Sequence, residues 1–246
     1  KLETIEGLKN LQFETCPTDW QAPFRPQSTA TFFDWPQITD LMPWQHSGSQ
    51  ITRSWPLGAT SEVLEKRWAA LLNAPDRSVA FKESRDRKIT SIVIDLGTGE
   101  QLMALADLPS GSPIAPVLPY GFRSFDRQWL IADPRLADYP RPTLWQSHSS
   151  IQIYFTSLLS STLGTGPALS ISAEVPDLHY FCGRGAKDTI PLYRDAKAQH
   201  PNLHPALPAA LKHAFGKVIS AEDIAAYLYA VLAHPGYTER FHGELE

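Results

Sequence analysis

Apolar positions return at helical spacing in only a few stretches of this 246-residue chain. Val63, Leu64, Trp68, Leu71 and Leu72 share one face of a helix that Thr60 or Ser61 can cap and that Asn73-Ala74-Pro75 stops. Residues 205–215 set Leu207, Leu211 and Phe215 on one side of a short helix. Ser220, with Asp223 three residues on, caps a last helix with Ile224, Leu228 and Val231 on its buried face, and Pro235 ends it. Trp68, Tyr227 and Tyr229, at helical spacing, are expected in the core. Shorter apolar runs predict strands. Residues 89–96 and 101–106 flank Gly97-Thr98-Gly99-Glu100 and predict a β-hairpin. Residues 129–131, 151–155, 169–175 and 178–181 read as further strands, and residues 1–43 as irregular chain with short strands. No repeat or low-complexity segment interrupts this pattern. It predicts an α+β fold of mixed, mainly antiparallel sheets with a few peripheral helices, rich in loops.

Composition narrows the picture. Twenty-one prolines against 14 glycines argue for many loops, and a hydrophobic content of 43% suffices for a sizeable core. The length fits one large domain or two lobes, 1–115 and 116–246. Net charge is −4, from 22 Lys plus Arg and 26 Asp plus Glu, so any nucleic-acid contact must use a local basic face. Cys16 and Cys182 give no disulfide framework and fit a reducing cytoplasm. No apolar run is long enough to predict a membrane span, and no signal peptide is read. The start at Lys1 and the end at Leu245-Glu246 read as an excised piece of a larger protein.

The richest local chemistry lies in residues 118–145, where Arg123, Arg127, Arg135 and Arg141 are interleaved with Tyr120, Phe122, Phe125, Trp129, Tyr139 and Trp145. Planar cations among aromatics suit phosphate contact, base-edge hydrogen bonding and stacking. The alternative is a structural segment whose arginines pair with Asp126, Asp133 and Asp138. Arg123 and Arg127, four apart, would face one side of a single strand and reach one phosphate track. Trp145, braced by Arg141-Pro142, is expected as a core anchor. Lys82, Arg85, Arg87 and Lys88 form a charged loop, either solvated surface or a phosphate-contacting patch. Arg184 and Lys187 sit in a glycine-containing turn, 183–188, where backbone can also approach DNA.

Other motifs are weaker. Asp95-Leu96-Gly97-Thr98-Gly99 mimics the loop that holds S-adenosylmethionine in Rossmann-type methyltransferases, but such a loop should open a helix, and residues 101–105 look like a returning strand. Pro75-Asp76 followed by Asp86-Arg87-Lys88 fits a short nuclease pattern that also arises by chance. His200 and His204 are four apart, but Pro201 and Pro205 oppose a regular helix there, and no His-Glu-x-x-His or Cys-x-x-Cys occurs. No catalytic residue and no metal ligand is assigned.

The order Tyr-x-Phe-Arg-x-Phe-Asp-Arg-x-Trp from Tyr120 to Trp129, then Asp133-Pro134-Arg135-Leu136, then Arg-Pro-x-Leu-Trp from Arg141 to Trp145, resembles the C-terminal specificity region of Type ISP restriction–modification enzymes. Asp177-Leu178-His179, Pro191-Leu192-Tyr193 and residues 223–232 followed by His234-Pro235-Gly236-Tyr237 extend the resemblance, which covers roughly residues 44–241. Enzymes of that family join a nuclease, a helicase-like ATPase, an N6-adenine methyltransferase and a target-recognition domain in one polypeptide. The chain resembles the last alone. The resemblance therefore implies that residues 1–246 are a target-recognition domain that reads duplex DNA beside the methyltransferase domain of the same polypeptide. It implies no cofactor in this fragment, with S-adenosylmethionine, ATP and Mg belonging to the parent enzyme. Arg123, Arg127 and Arg141 are the first candidates for DNA contact, then Lys82, Arg85, Arg87 and Lys88, then Arg184 and Lys187. Two rival readings are a divergent methyltransferase fragment using residues 95–99, and a structural domain that touches no DNA.

Overall fold

Strand β4 (Val117–Arg123) turns back into β5 (Asp126–Ile131), and β1 (Leu57–Gly58) pairs with the other edge of β5. A computed structural model of the protein describes residues 32–95, 98–157, 166–181, 183 and 185–245. In a second sheet, β6 (Tyr154–Thr156) lies between β7 (Ser170–Ser172) and β8 (Thr189–Pro191). A third is the two-stranded ribbon of β2 (Val93–Ile94) and β3 (Gln101–Leu102). All these pairings are antiparallel. The helices are α1 (Ile38–Leu41), α2 (Ser61–Leu72), α3 (Arg77–Phe81), α4 (Pro142–Gln146), α5 (Leu207–Phe215), α6 (Ala221–Leu232), α7 (Pro235–Arg240) and α8 (His242–Leu245). The fold is α+β, with three small open antiparallel sheets among the described residues.

Strand alternation makes two of the sheets into shared walls. Successive side chains of a strand point to opposite faces. On β5, Ile131 enters a cluster with Trp55, Leu64, Trp68, Leu71, Phe81 and Leu105, whereas Leu130 enters one with Ile51, Tyr120, Leu144, Tyr154 and Val175. On β6, Tyr154 belongs to that central cluster, and Phe155 turns into a third with Met42, Leu169, Ile190, Leu192 and Ala225. Three cores are thereby joined in series through two strands. The first draws on residues both before and after position 115.

The two long helices follow the sequence pattern. Helix α2 starts after Thr60, ends at Asn73 and buries Leu64, Trp68, Leu71 and Leu72, while Val63 stays exposed. Ser220 and Asp223 form a reciprocal capping box on α6: the Ser220 hydroxyl accepts from the Asp223 N–H at 3.0 Å, and the Asp223 carboxylate accepts from the Ser220 N–H at 3.2 Å. Asp76, half of the short nuclease pattern, caps α3 by accepting from the N–H and the hydroxyl of Ser78.

Several expectations fail. Residues 178–181 form a turn, because Asp177 accepts from the His179 N–H at 2.7 Å and from the Tyr180 N–H through its carbonyl, which curls the chain. Tyr227 and Tyr229 are exposed, since α6 buries a narrower stripe of Ala221, Ile224 and Ala225. Val231 and Phe215 are exposed as well, and α5 buries no residue. Helix α6 does stop ahead of Pro235, as expected, but it is not the last helix, because Pro235 opens α7 with His234 as its cap. The expected strands of residues 1–31 lie outside the described residues.

Trp145 is partly buried: its ring stacks on Tyr120 at 5.9 Å, and its indole N–H donates to the Pro140 carbonyl at 2.7 Å. Next to it, His148 stacks on Tyr154 at 6.1 Å. Burial holds the His148 pKa below the ordinary histidine value, outweighing the opposing pull of the Glu174 charge. The unfolded chain therefore takes up this proton more readily than the folded one. The associated stability is intact above about pH 6.5 and is lost as pH falls from there through the lower folded value. Urea titrations are expected to show the unfolding midpoint dropping between about pH 7.5 and pH 5.5, and His148→Phe is expected to flatten that drop. An equally steep drop in the variant would assign it to other groups.

Candidate nucleic-acid interface

The arginine-rich stretch forms the β4–β5 hairpin, whose loop is Ser124-Phe125 between the paired Arg123 and Asp126. Arg123 and Arg127 consequently stand on two different strands, on either side of a turn, not along one strand. Neither loop residue has a positive φ, although two-residue hairpins usually need one. An irregularity in register between Tyr120 and Arg123 takes up the mismatch. Residues 174–180 brace the hairpin from one side. Arg123 donates to Asp177 at 3.3 Å and lies over the Phe122 ring at 3.8 Å. Arg127 reaches Glu174 at 2.8 Å and the Tyr180 hydroxyl at 3.1 Å. The Ser124 N–H donates to the Tyr180 carbonyl, and Gly121 and Val175 to Asp177 exchange further backbone bonds. A Cβ on Gly121 would come within 3.3 Å of the Val175 carbonyl, so a side chain here would crowd this junction. Each of the two arginines keeps 41% of its side-chain surface exposed.

Asp177 is the hub of this brace. Its carboxylate is 2% exposed and accepts from the Tyr120 hydroxyl at 2.7 Å, from Arg123, and from the His179 backbone N–H. Burial raises the Tyr120 pKa well above the usual tyrosine value, and the nearby Asp177 charge adds to it, so the hydroxyl stays a proton donor. The next residue, Leu178, lines a polar groove of about 660 Å³. Gln50, Thr52, Arg85, Tyr139, Arg141 and Lys187 are among its other walls. The groove thus gathers residues far apart in sequence, through the Gln50–Tyr139 and Ser49–Asp177 bridges.

Two residues lining the groove hold backbone conformations that cost energy. Thr52 has φ 60, rare for a β-branched residue. Arg141 has φ 53 directly before Pro142, where an extended residue is the rule. Its guanidinium sits 5.6 Å over Tyr139, and its buried Nε has no hydrogen-bond partner. Arg141 and Lys187 form no ion pair among the described residues. Arg85 holds Asp86 through two bonds of 3.1 Å, which keep that carboxyl below the usual range. Strain retained at left-handed non-glycine residues tends to collect at functional sites.

The basic loop 82–88 borders this groove. Lys82 takes a left-handed conformation at the end of α3, φ 52, and its carbonyl accepts from Arg53 at 2.6 Å. Arg53 also donates to the Phe81 carbonyl and packs 3.9 Å from the Phe81 ring, so it positions the loop from beneath. Arg87 donates to the Asp138 carbonyl at 3.2 Å, and Lys82 and Lys88 point into solvent. Arg135 is spent on Asp133, at 2.6 Å. Arg184 lies outside the described residues. Gln50 and Arg53 were not legible as site residues: their neighbours in sequence carry no signal, and long-range pairing alone brings them here.

The chain after Asp95 does not open a helix. Asp95 donates to the Glu100 carbonyl at 2.8 Å, and Gln101-Leu102 pairs back antiparallel to Val93-Ile94. Leu96 and Gly97 lie outside the described residues. This geometry does not fit an S-adenosylmethionine loop, which needs a helix N-terminus against the cofactor. A second cavity, about 290 Å³, is walled mainly by apolar side chains such as Ile51, Leu118 and Leu130.

An α+β domain with a braced, cation-flanked hairpin beside a polar groove is the class these features define. The chain belongs to the family of the Type ISP C-terminal specificity domain, whose model matches residues 40–246. No curated protein matches it. Its fold is similar to three solved structures. One is the Type ISP restriction–modification enzyme LlaBIII bound to DNA, at TM-score 0.60 and 13% identity over 98% of this chain. Another is a nuclease-deletion mutant of the Type ISP enzyme LlaGI with a DNA substrate mimic, at 0.56 and 15% over 97%. The third is a DrdV–DNA complex, at 0.54 and 19% over 83%. The chain spans 16%, 19% and 20% of those proteins, respectively. Among the described residues, no helix is long and apolar enough to cross a membrane.

Proposed function

We propose that this chain reads a specific sequence in duplex DNA for a restriction–modification enzyme. It would hold the target site so that other domains of the same polypeptide can methylate an adenine and restrict unmodified DNA. S-adenosylmethionine, ATP and Mg would be held by those domains, and the two cysteines suit a reducing, cytoplasmic setting. The observation that carries this reading is the polar groove with Arg141 and Thr52 strained on its wall. It offers unpaired cationic donors beside Gln50 and Tyr139, in a chain whose net charge is otherwise −4. Arginine can donate two hydrogen bonds to the O6 and N7 of guanine, and glutamine can donate to N7 and accept from N6 of adenine, in the major groove. Arg85, Arg87, Lys82, Lys88 and Lys187, with Arg123 and Arg127 on the hairpin and Arg184 in the 183–188 turn, would contact phosphates and set the register. The family membership and the DNA-bound relatives support the same reading.

The test is selection from a random duplex pool followed by sequencing, with wild-type chain and Arg141→Ala. Wild type is expected to enrich one motif. If Arg141 reads a base, its loss weakens binding by about 1–3 kcal/mol and relaxes one position; if it grips a phosphate, binding weakens for all sequences and the salt slope falls by about 1. Failure of wild type to enrich any motif would sink the reading.

A further inference from the structure

The Phe125 side chain at the tip of the β4–β5 hairpin is fully exposed. The fold has no use for it there. A phenyl ring supplies none of the turn chemistry that Gly, Asn or Asp would bring to a two-residue loop, and it buries nothing. Single exposed apolar residues are ordinary on protein surfaces, but this one stands on an unusually firm mount. Arg123–Asp177, Arg127–Glu174 and the Ser124–Tyr180 backbone bond tie the strands beneath it to residues 174–180. The two arginines stand two positions before and after it in sequence, and among the described residues Arg123 commits only Nη1, to the Phe122 carbonyl and Asp177.

We propose that Phe125 is a wedge that enters the base stack of duplex DNA while Arg123 holds an adjoining phosphate and Arg127 stiffens the strand beneath it. This rests on the DNA-reading function above. An apolar ring inserted at a base step partly unstacks it and kinks the duplex, and a stiff mount is required because a mobile loop would yield before the stack does. The cost of opening falls where the duplex is already weakened, so a wedge favours a flexible or mismatched step.

Binding is measured by fluorescence anisotropy with a mixed-sequence duplex of about 30 base pairs and with the same duplex carrying one central T·T mismatch. Wild type, Phe125→Ala and Phe125→Trp are compared at several salt concentrations. Wild type and Phe125→Trp are expected to bind the mismatched duplex about tenfold more tightly than the matched one. Phe125→Ala is expected to bind both equally, with the wild-type salt slope and an unchanged thermal midpoint, because the ring touches nothing in the fold. A preference retained by Phe125→Ala, or no preference in wild type, overturns the wedge and leaves DNA reading standing. Wild type binding neither duplex also overturns the wedge, while the DNA-reading function is decided separately by whether the selection above enriches a motif.

Discussion

Asp177→Ala is expected to lower the free energy of unfolding by about 3 kcal/mol, read from urea titrations at neutral pH. The carboxylate is 2% exposed and satisfies the Tyr120 hydroxyl, the Arg123 guanidinium and the His179 N–H. Removing it leaves these donors without the acceptor they share. Tyr120 keeps one acceptor, the Ser49 carbonyl at 3.0 Å, and Arg123 can swing to solvent, which holds the loss below that of a fully buried ion pair. The effect extends to function, because the same carboxylate braces the hairpin that carries Phe125. Asp177→Ala should therefore loosen the hairpin amides in hydrogen exchange, while Asp177→Asn, which keeps one acceptor oxygen, should lose less stability. Stability within about 0.5 kcal/mol of wild type in Asp177→Ala would mean that the network contributes little.

Trp68→Ala is expected to cost about 3–5 kcal/mol. The ring is 3% exposed among Leu64, Leu72, Phe81 and Ile131, and its N–H donates to the Ser112 carbonyl at 3.0 Å. Truncation removes one of the two buried tryptophans of the first core and leaves a cavity that β5, held by its pairings on both edges, cannot close. That is a large share of the roughly 5–15 kcal/mol that stabilises a typical domain. Phe81, in the same core, is the residue before the basic loop, so the loss should also loosen residues 82–88 against the groove. Trp68→Phe should cost less, since it keeps most of the packing and forfeits the hydrogen bond. A midpoint for Trp68→Ala close to wild type would show that the first core does not carry the fold.

The elements legible in the sequence are those whose cause is local. Helix α2 ends where Asn73 and Pro75 stand, and the Ser220–Asp223 box starts α6, because caps answer to backbone groups three or four residues away. The ribbon of β2 and β3 follows from two apolar runs around a glycine turn, although only two residues of each run pair. The family also was legible, in the ordered aromatic and arginine motifs between Tyr120 and Tyr237. Apolar spacing alone does not decide burial. Tyr227 and Val231 on one flank of α6, and Tyr229 on the other, stay exposed because only the stripe of Ala221, Ile224 and Ala225, with Leu228 and Leu232 beside it, meets the third core.

By itself, the sequence determined the α+β class, the two capped helices, the ribbon and the concentration of arginines and aromatics between residues 118 and 145. It did so because propensity, capping and turn chemistry act over a few residues. The tertiary structure alone decided which of those arginines are spent and which are free. Arg135 closes on Asp133 two residues away, but Arg123 finds Asp177, Arg127 finds Glu174, and Arg141 finds no carboxylate among the described residues. It alone placed Gln50, Arg85, Arg141 and Lys187 around one groove and left Phe125 bare at a hairpin tip. The reason is physical: the Arg123–Asp177 and Arg127–Glu174 pairs and the Gln50–Tyr139 bridge join residues far apart in the chain, and no local pattern encodes them.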